Sequence, residues 1–258
     1  MNTLLYEVEN YIATITLNRA DVLNCFNFEM LIELETVLDE IRTNKEVRVV
    51  IITGAGEKSF SAGADLRERK SLSEQEVRRF IFKIGEVFSK VDQLPQPVIA
   101  AVNGFAFGGG MEFALACDVR ILVEGTRIGL TETSLAIIPG AGGTQRLPRL
   151  IGEAKALELI LTARKLTSSE ALAYGIVSRV VPTDELMDVA LKLAQEMLGN
   201  GPLALQQAKF AIKQGMNVDL ATGLKLEQKA YEVLIPTVDR VEALNAFGEK
   251  RRANFRGE

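Results

Sequence analysis

The alternation of strand-like and helix-like segments over residues 47–123 most constrains the fold open to this chain. Val47, Val49, Val50, Ile51 and Ile52 form a β-branched run closed by Gly54-Ala55-Gly56, the pattern of a buried strand. Residues 73–91 carry helical spacing, and residues 98–102, after Pro95 and Pro97, and 119–123 read as further strands. Upstream, residues 4–9 and 12–17 are β-forming runs around Asn10, a hairpin signature. From Phe28, the residues Met30, Leu31, Leu34, Val37, Leu38 and Ile41 recur at the period of an amphipathic helix. Strands alternating with helices predict an α/β core. From Gly152 the pattern turns helical, over residues 154–162, 168–174, 184–198, 203–214 and 220–234, with one strand at 176–181.

Of 258 residues, none is histidine. Ser-His-Asp and Cys-His triads need imidazole to carry the proton, and H-E-x-x-H metal sites need it as ligand, so these chemistries are excluded. A net charge of −4 gives no general attraction to nucleic acid or an anionic membrane, so an anionic ligand must be held locally. Cys25 and Cys117 show no C-x-x-C spacing and fit a reducing cytosol. The N-terminus lacks a secretory pattern and no apolar run reaches the roughly 18–20 residues of a membrane span, so a cytoplasmic protein is expected.

Three glycine-rich constellations follow strand-like runs. The first, Phe60-Ser61-Ala62-Gly63-Ala64-Asp65-Leu66, lets a ligand approach main-chain N–H groups, or is a plain strand-to-helix turn. In the second, Gly108-Gly109-Gly110-Met111-Glu112, three glycines cost folding entropy and belong where the backbone turns sharply or is touched. A helix starting there would aim unpaired N–H groups at an anionic oxygen; tight helix-strand packing competes as the explanation, best for Gly110. The third places Glu132 after Ile128-Gly129-Leu130 and continues through Pro139-Gly140-Ala141-Gly142-Gly143-Thr144, a glycine-rich start to a helix without the G-x-x-x-x-G-K-[ST] phosphate loop. Alone, Glu132 is an ordinary turn or capping residue. Two carboxylates beside an exposed backbone point to acid/base chemistry on a substrate that develops an oxyanion.

These segments, in this order, resemble the enoyl-CoA hydratase (crotonase) family. The likeness runs from Leu17-Asn18-Arg19 and Leu23-Asn24 through Ser61-Ala62-Gly63-Ala64-Asp65 and Gly108 to Asp118, and on to Ile138-Pro139-Gly140 and Pro148. It implies an α/β fold, a crotonase-like spiral of ββα units with a helical C-terminal oligomerisation region. The implied division is a core over residues 1–195 and a helical trimerisation region over 196–258, assembled as a homotrimer or a dimer of trimers. It also implies an acyl-CoA thioester substrate, with coenzyme A part of that substrate and neither a separate cofactor nor a metal. Carried over by position, the oxyanion hole is the N–H groups of Ala64 and Gly109, and the CoA moiety lies along Ala62, Ala64, Asp65, Leu66 and Gly109. Glutamate stands at both hydratase positions, Glu112 and Glu132. Ala20 replaces the proline that often follows Asn-Arg, a change expected to affect the turn and not the chemistry.

The implied reaction adds water across the C2=C3 bond of a 2-enoyl thioester. Glu112 is expected to orient and deprotonate water and Glu132 to exchange the proton at C2, the pair sharing one proton whose resting place the sequence leaves open. A short-chain enoyl-CoA hydratase is the first expectation. Residues 135–140, 211–216 and 219–224 are similar to the methylglutaconyl-CoA hydratase branch, the first alternative, and Δ3-Δ2 enoyl-CoA isomerase the second. That branch includes an RNA-binding member with a lysine-rich first helix. Here residues 28–43 carry Glu29, Glu33, Glu35, Asp39 and Glu40 against Arg42, so nucleic acid is not expected as a partner. The basic residues Lys250, Arg251, Arg252 and Arg256 are, by the resemblance, expected near CoA phosphates of an adjoining site.

Overall fold

The computed structural model describes residues 1–258. In chain order it contains β1 (Leu4–Glu9), β2 (Ile12–Leu17), α1 (Phe28–Thr43), β3 (Val49–Gly54), β4 (Ser59–Ser61), α2 (Leu66–Ser71), α3 (Glu74–Asp92), β5 (Val98–Val102), β6 (Phe105–Phe107), α4 (Gly109–Ala116), β7 (Val119–Val123) and β8 (Arg127–Gly129). There follow α5 (Gly143–Ile151), α6 (Glu153–Leu161), β9 (Leu166–Thr167), α7 (Ser168–Ala173), β10 (Arg179–Val181), α8 (Leu186–Leu198), α9 (Pro202–Gly215), α10 (Leu220–Leu234) and α11 (Val238–Glu249).

The strands form two sheets, ordered β1-β2-β3-β5-β7-β10 and β4-β6-β8-β9. Each successive pair, β3/β4, β5/β6 and β7/β8, gives one strand to each sheet, and pairing between turns is parallel. The chain thus climbs as a spiral of ββα turns, closed by the antiparallel β1/β2 hairpin at one end of the larger sheet. Side chains of β3 alternate between two cores. Val50 and Ile52 enter the main core shared with α1, α3 and α4, whereas Val49 and Ile51 face α8 through Leu186, Ala190 and Ala194. Burial on both faces is why this strand reads as a continuous apolar run.

The sequence leaves β4 and β6 unassigned, because three residues are too few to show a period. Residues 176–181 narrow to a strand at Arg179–Val181, since Ile176 and Val177 turn into the main core before pairing with β7 begins.

Several helix starts carry their own signals. Asn27 caps α1 by accepting from Met30 N–H at 3.0 Å, and Ser73 with Glu76 forms a capping box on α3. Helix α4 is fixed from below by Phe113, whose ring lies 4.8 Å from Phe88 and 5.2 Å from Phe26. Helix α9 is tied to the core by Lys209, 2.6 Å from Asp118, and by Lys213, which pairs with Asp118 at 2.8 Å and with Asp92.

Candidate active site

The three consecutive glycines serve three different ends. At Gly110 a Cβ would lie 2.0 Å from the Ser61 carbonyl oxygen, so glycine lets α4 pack directly on β4. Gly108 turns the chain from β6 into α4 with φ 52° and ψ −125°, and a Cβ there would sit 3.1 Å from a Glu132 carboxylate oxygen. Gly109 is the first residue of α4, so its N–H has no acceptor within the helix.

Against Gly109 lies the loop after β4. A Cβ on Gly109 would be 3.5 Å from Gly63 Cα and 3.6 Å from Ala64 N. Gly63, at φ 99°, bends this loop so that its neighbours bond inward: Gly63 N–H donates to Ser61 Oγ at 3.2 Å and Asp65 N–H to the Phe26 carbonyl at 2.8 Å. Ala64 N–H between them has no acceptor. Two unpaired N–H groups from different turns of the spiral therefore stand side by side on one cavity wall.

Both glutamates face that cavity. Glu112, one turn into α4 and only 3% exposed, accepts at Oε1 from Ala141 N–H and Gly143 N–H, both at 2.8 Å. Gly143 opens α5, so this oxygen sits where the helix dipole favours negative charge. Burial pushes the Glu112 carboxyl up, while those two N–H groups and the nearby Arg146 charge draw it back. Glu132 opens a short 3₁₀ turn, Glu132–Leu135, anchored by the Thr133 hydroxyl donating to the Ile160 carbonyl at 2.6 Å. It is 8% exposed, and its buried Oε2 has no partner. Burial first, and the Glu112 charge second, push its carboxyl up to about 7. Two carboxylates are thus held differently, one by fixed donors and one by an apolar wall.

The cavity measures about 80 Å³ and is otherwise lined mainly by Phe80, Ile81 and Ile84 of α3 and by Leu135, Ile137 and Ile138. No three Cys, Asp or Glu side chains converge as a metal site.

The enoyl-CoA hydratase/isomerase family model matches residues 7–258. The chain belongs to that family. It is 44% identical to the short-chain-enoyl-CoA hydratase of Clostridium acetobutylicum over 252 residues, 98% of this chain and 97% of that protein. It is 46% identical to the human mitochondrial methylglutaconyl-CoA hydratase over 258 residues, 98% of this chain and 76% of that protein. The crystal structure of the enoyl-CoA hydratase from Bacillus anthracis superposes with a TM-score of 0.98 at 50% identity, covering 99% of this chain and all of that one.

Within this hydratase/isomerase fold, Ala62, Ala64, Leu66, Gly109, Glu112 and Glu132 all line the one cavity, whereas Asp65 does not. The Asp65 carboxylate caps α2 through Arg67 and Glu68 N–H and pairs with Arg19 at 3.0 Å, so its polar atoms are spent on holding the loop. Arg251 forks onto Glu242 at 2.5 and 2.9 Å. For Ala141 and Gly143 the sequence carries no signal beyond the glycine-rich helix start. Nor does any spacing mark Arg69, the sole cationic residue lining the cavity, whose guanidinium pairs with no carboxylate.

Proposed function

We propose that this chain is an enoyl-CoA hydratase that adds water across the C2=C3 bond of a short-chain 2-enoyl-CoA thioester, giving the 3-hydroxyacyl-CoA. The observation that carries this is the convergence of two free N–H groups, Ala64 and Gly109, with two buried carboxylates, Glu112 and Glu132, in one cavity. The thioester oxygen accepts both N–H bonds and keeps them as negative charge develops during attack at C3; one such donor is worth about 3–4 kcal/mol in the transition state. Glu112, steadied at Oε1 by fixed donors, is the ionised member that orients and deprotonates water. Glu132, held up near 7 with an unpartnered oxygen, carries the shared proton at rest and delivers it to C2. The CoA chain runs past Ala62 and Leu66 at the rim. Coenzyme A is part of the substrate, and the reaction takes no separate cofactor or metal.

The 3-methylglutaconyl-CoA hydratase reading is favoured by Arg69. A distal carboxylate on a branched acyl group needs a cation, and this unpaired guanidinium is the one the cavity offers. Loss of conjugated-thioester absorbance is the test, with crotonyl-CoA and 3-methylglutaconyl-CoA as separate substrates. Fast hydration of crotonyl-CoA supports the general hydratase. A preference for the diacid that Arg69→Met abolishes selects the alternative. No loss with either defeats both and leaves isomerase chemistry.

The helical C-terminal region is assigned to oligomerisation, as a homotrimer or a dimer of trimers. Its support is the apolar surface on α10 and α11, where Leu220 is 78% and Phe247 86% exposed. A cytoplasmic location rests on the two unpaired cysteines. No helix is long and apolar enough to cross a membrane.

A further inference from the structure

We infer that Arg146 is a positioning residue for the Glu112 carboxylate, acting through the Ala141–Gly143 backbone, and that Asp92 and Lys213 hold Arg146 so that the docking of α9 is built into the active site. The inference rests on Glu112 being the base of the proposed hydration.

Residues Ala141 and Gly143 hold Glu112 Oε1 through their N–H groups, and the Ala141 carbonyl on the opposite side accepts from Arg146 Nη1 at 2.9 Å. The same peptide segment is therefore gripped from both faces. Gly142, between them, has φ 107°, and a Cβ there would lie 2.0 Å from Arg146 Nη1. The guanidinium thus sits directly over the loop at Gly142, whose left-handed backbone itself favours glycine and brings the Ala141 carbonyl within reach of Nη1. Arg146 Nη2 reaches Asp92 at the end of α3 at 3.5 Å, and Asp92 is engaged in turn by Lys213 of α9, through both its carboxylate and its carbonyl.

A continuous polar chain therefore runs from α9 through Lys213, Asp92 and Arg146 to the loop that fixes Glu112. The side chains of Arg146, Lys213 and Asp92 are 19%, 27% and 35% exposed, so water screens this chain in part and the direct hydrogen bond from Arg146 to the Ala141 carbonyl carries most of the positioning. The charged groups around Arg146 are Asp92 of α3, Lys209 and Lys213 of α9, Asp118 between α4 and β7, Arg120 on β7, and Arg149 on its own helix. Glu112 itself faces Glu132 and Arg146. Arg146 thus has two effects on Glu112: it fixes the donors, and its charge favours the ionised base.

The test compares Arg146→Met, Arg146→Lys, Glu112→Gln and the double variant E112Q/R146M in crotonyl-CoA hydration, measuring kcat, KM and the pH dependence of kcat. Loosening a carboxylate by around an ångström costs about a hundredfold in rate at most, so R146M should lower kcat by about tenfold to a hundredfold with KM little changed. Its acid limb should move to higher pH. R146K should keep that limb near the wild-type position while losing rate, because lysine restores charge but not the two-armed grip. It also carries the test if R146M fails to fold. In E112Q/R146M the rate should be no lower than in E112Q alone. Wild-type kcat and pH profile in the Arg146 variants, or the same loss in the E112Q background as in the wild type, would overturn the inference. If E112Q itself turns over normally, the hydratase mechanism fails first, and the two failures are distinguishable.

Discussion

Replacing Glu132 by glutamine should stabilise the protein at alkaline pH. The folded protein pushes the Glu132 carboxyl from 4.5 up to about 7, so the native state binds this proton more tightly than the unfolded chain does. The sign follows directly. Below about pH 4.5 the group is protonated in both states and contributes nothing. Between 4.5 and 7 the unfolded state gains by ionising first, and above 7 the full cost of a charged, buried and partly unpartnered carboxylate is present. At about 1.4 kcal/mol per pH unit, that cost is about 3 kcal/mol. Between pH 5 and pH 8.5 the wild type should therefore lose about 2.5 kcal/mol relative to Glu132→Gln. Urea denaturation of both proteins at the two pH values reads this out, with protein concentration fixed so that any subunit assembly contributes equally. Because the Glu112 charge is the second cause, the difference should shrink in a Glu112→Gln background. Parallel pH dependence of wild type and E132Q would show that Glu132 titrates as an ordinary carboxylate and does not hold the shared proton.

Other expectations follow from particular contacts. Gly143→Ala places a Cβ 3.0 Å from Glu112 Cγ and Oε1 and 2.9 Å from Leu130, so crotonyl-CoA turnover should fall at least about tenfold while circular dichroism shows a folded protein. Gly110→Ala collides with the Ser61 carbonyl and should destabilise by about 3 kcal/mol or more, read as a lowered melting temperature or loss of soluble protein. Asp65→Ala removes the α2 cap and the partner of Arg19, and should cost about 1–2 kcal/mol of stability with KM for crotonyl-CoA little changed; a raised KM at unchanged stability would make Asp65 a CoA contact instead. The rate of hydration should decline above about pH 7 as Glu132 loses its proton, and this alkaline limb should be absent from the residual activity of E132Q.

Long periodic elements were legible in the sequence. The helix from Phe28 and the strand at residues 98–102 fall where their spacing puts them, because each buries one face or both against a large core. Strands β4 and β6 were not, since pairing with a neighbouring turn of the spiral, and not local pattern, makes three residues a strand. Helix α11 is not legible although Thr237 caps it, because its apolar residues Val238, Val241, Leu244 and Phe247 stay exposed and mark no core face. Glu112 and Glu132 stood out by the glycines around them, and the fold puts them on one cavity. The reason for each glycine, the donors on Glu112 and the grip of Arg146 on the Ala141 carbonyl depend on contacts between distant segments, which no local spacing encodes.

The most direct test of the central claim is hydration of crotonyl-CoA by wild type, E112Q and E132Q, followed by loss of conjugated-thioester absorbance, with affinity for 3-hydroxybutyryl-CoA measured by calorimetry on the same samples. Each substitution should lower kcat by about a hundredfold to ten-thousandfold, the range expected for a lost general acid or base, while product affinity stays within a few-fold. Near wild-type turnover in either variant would contradict the account.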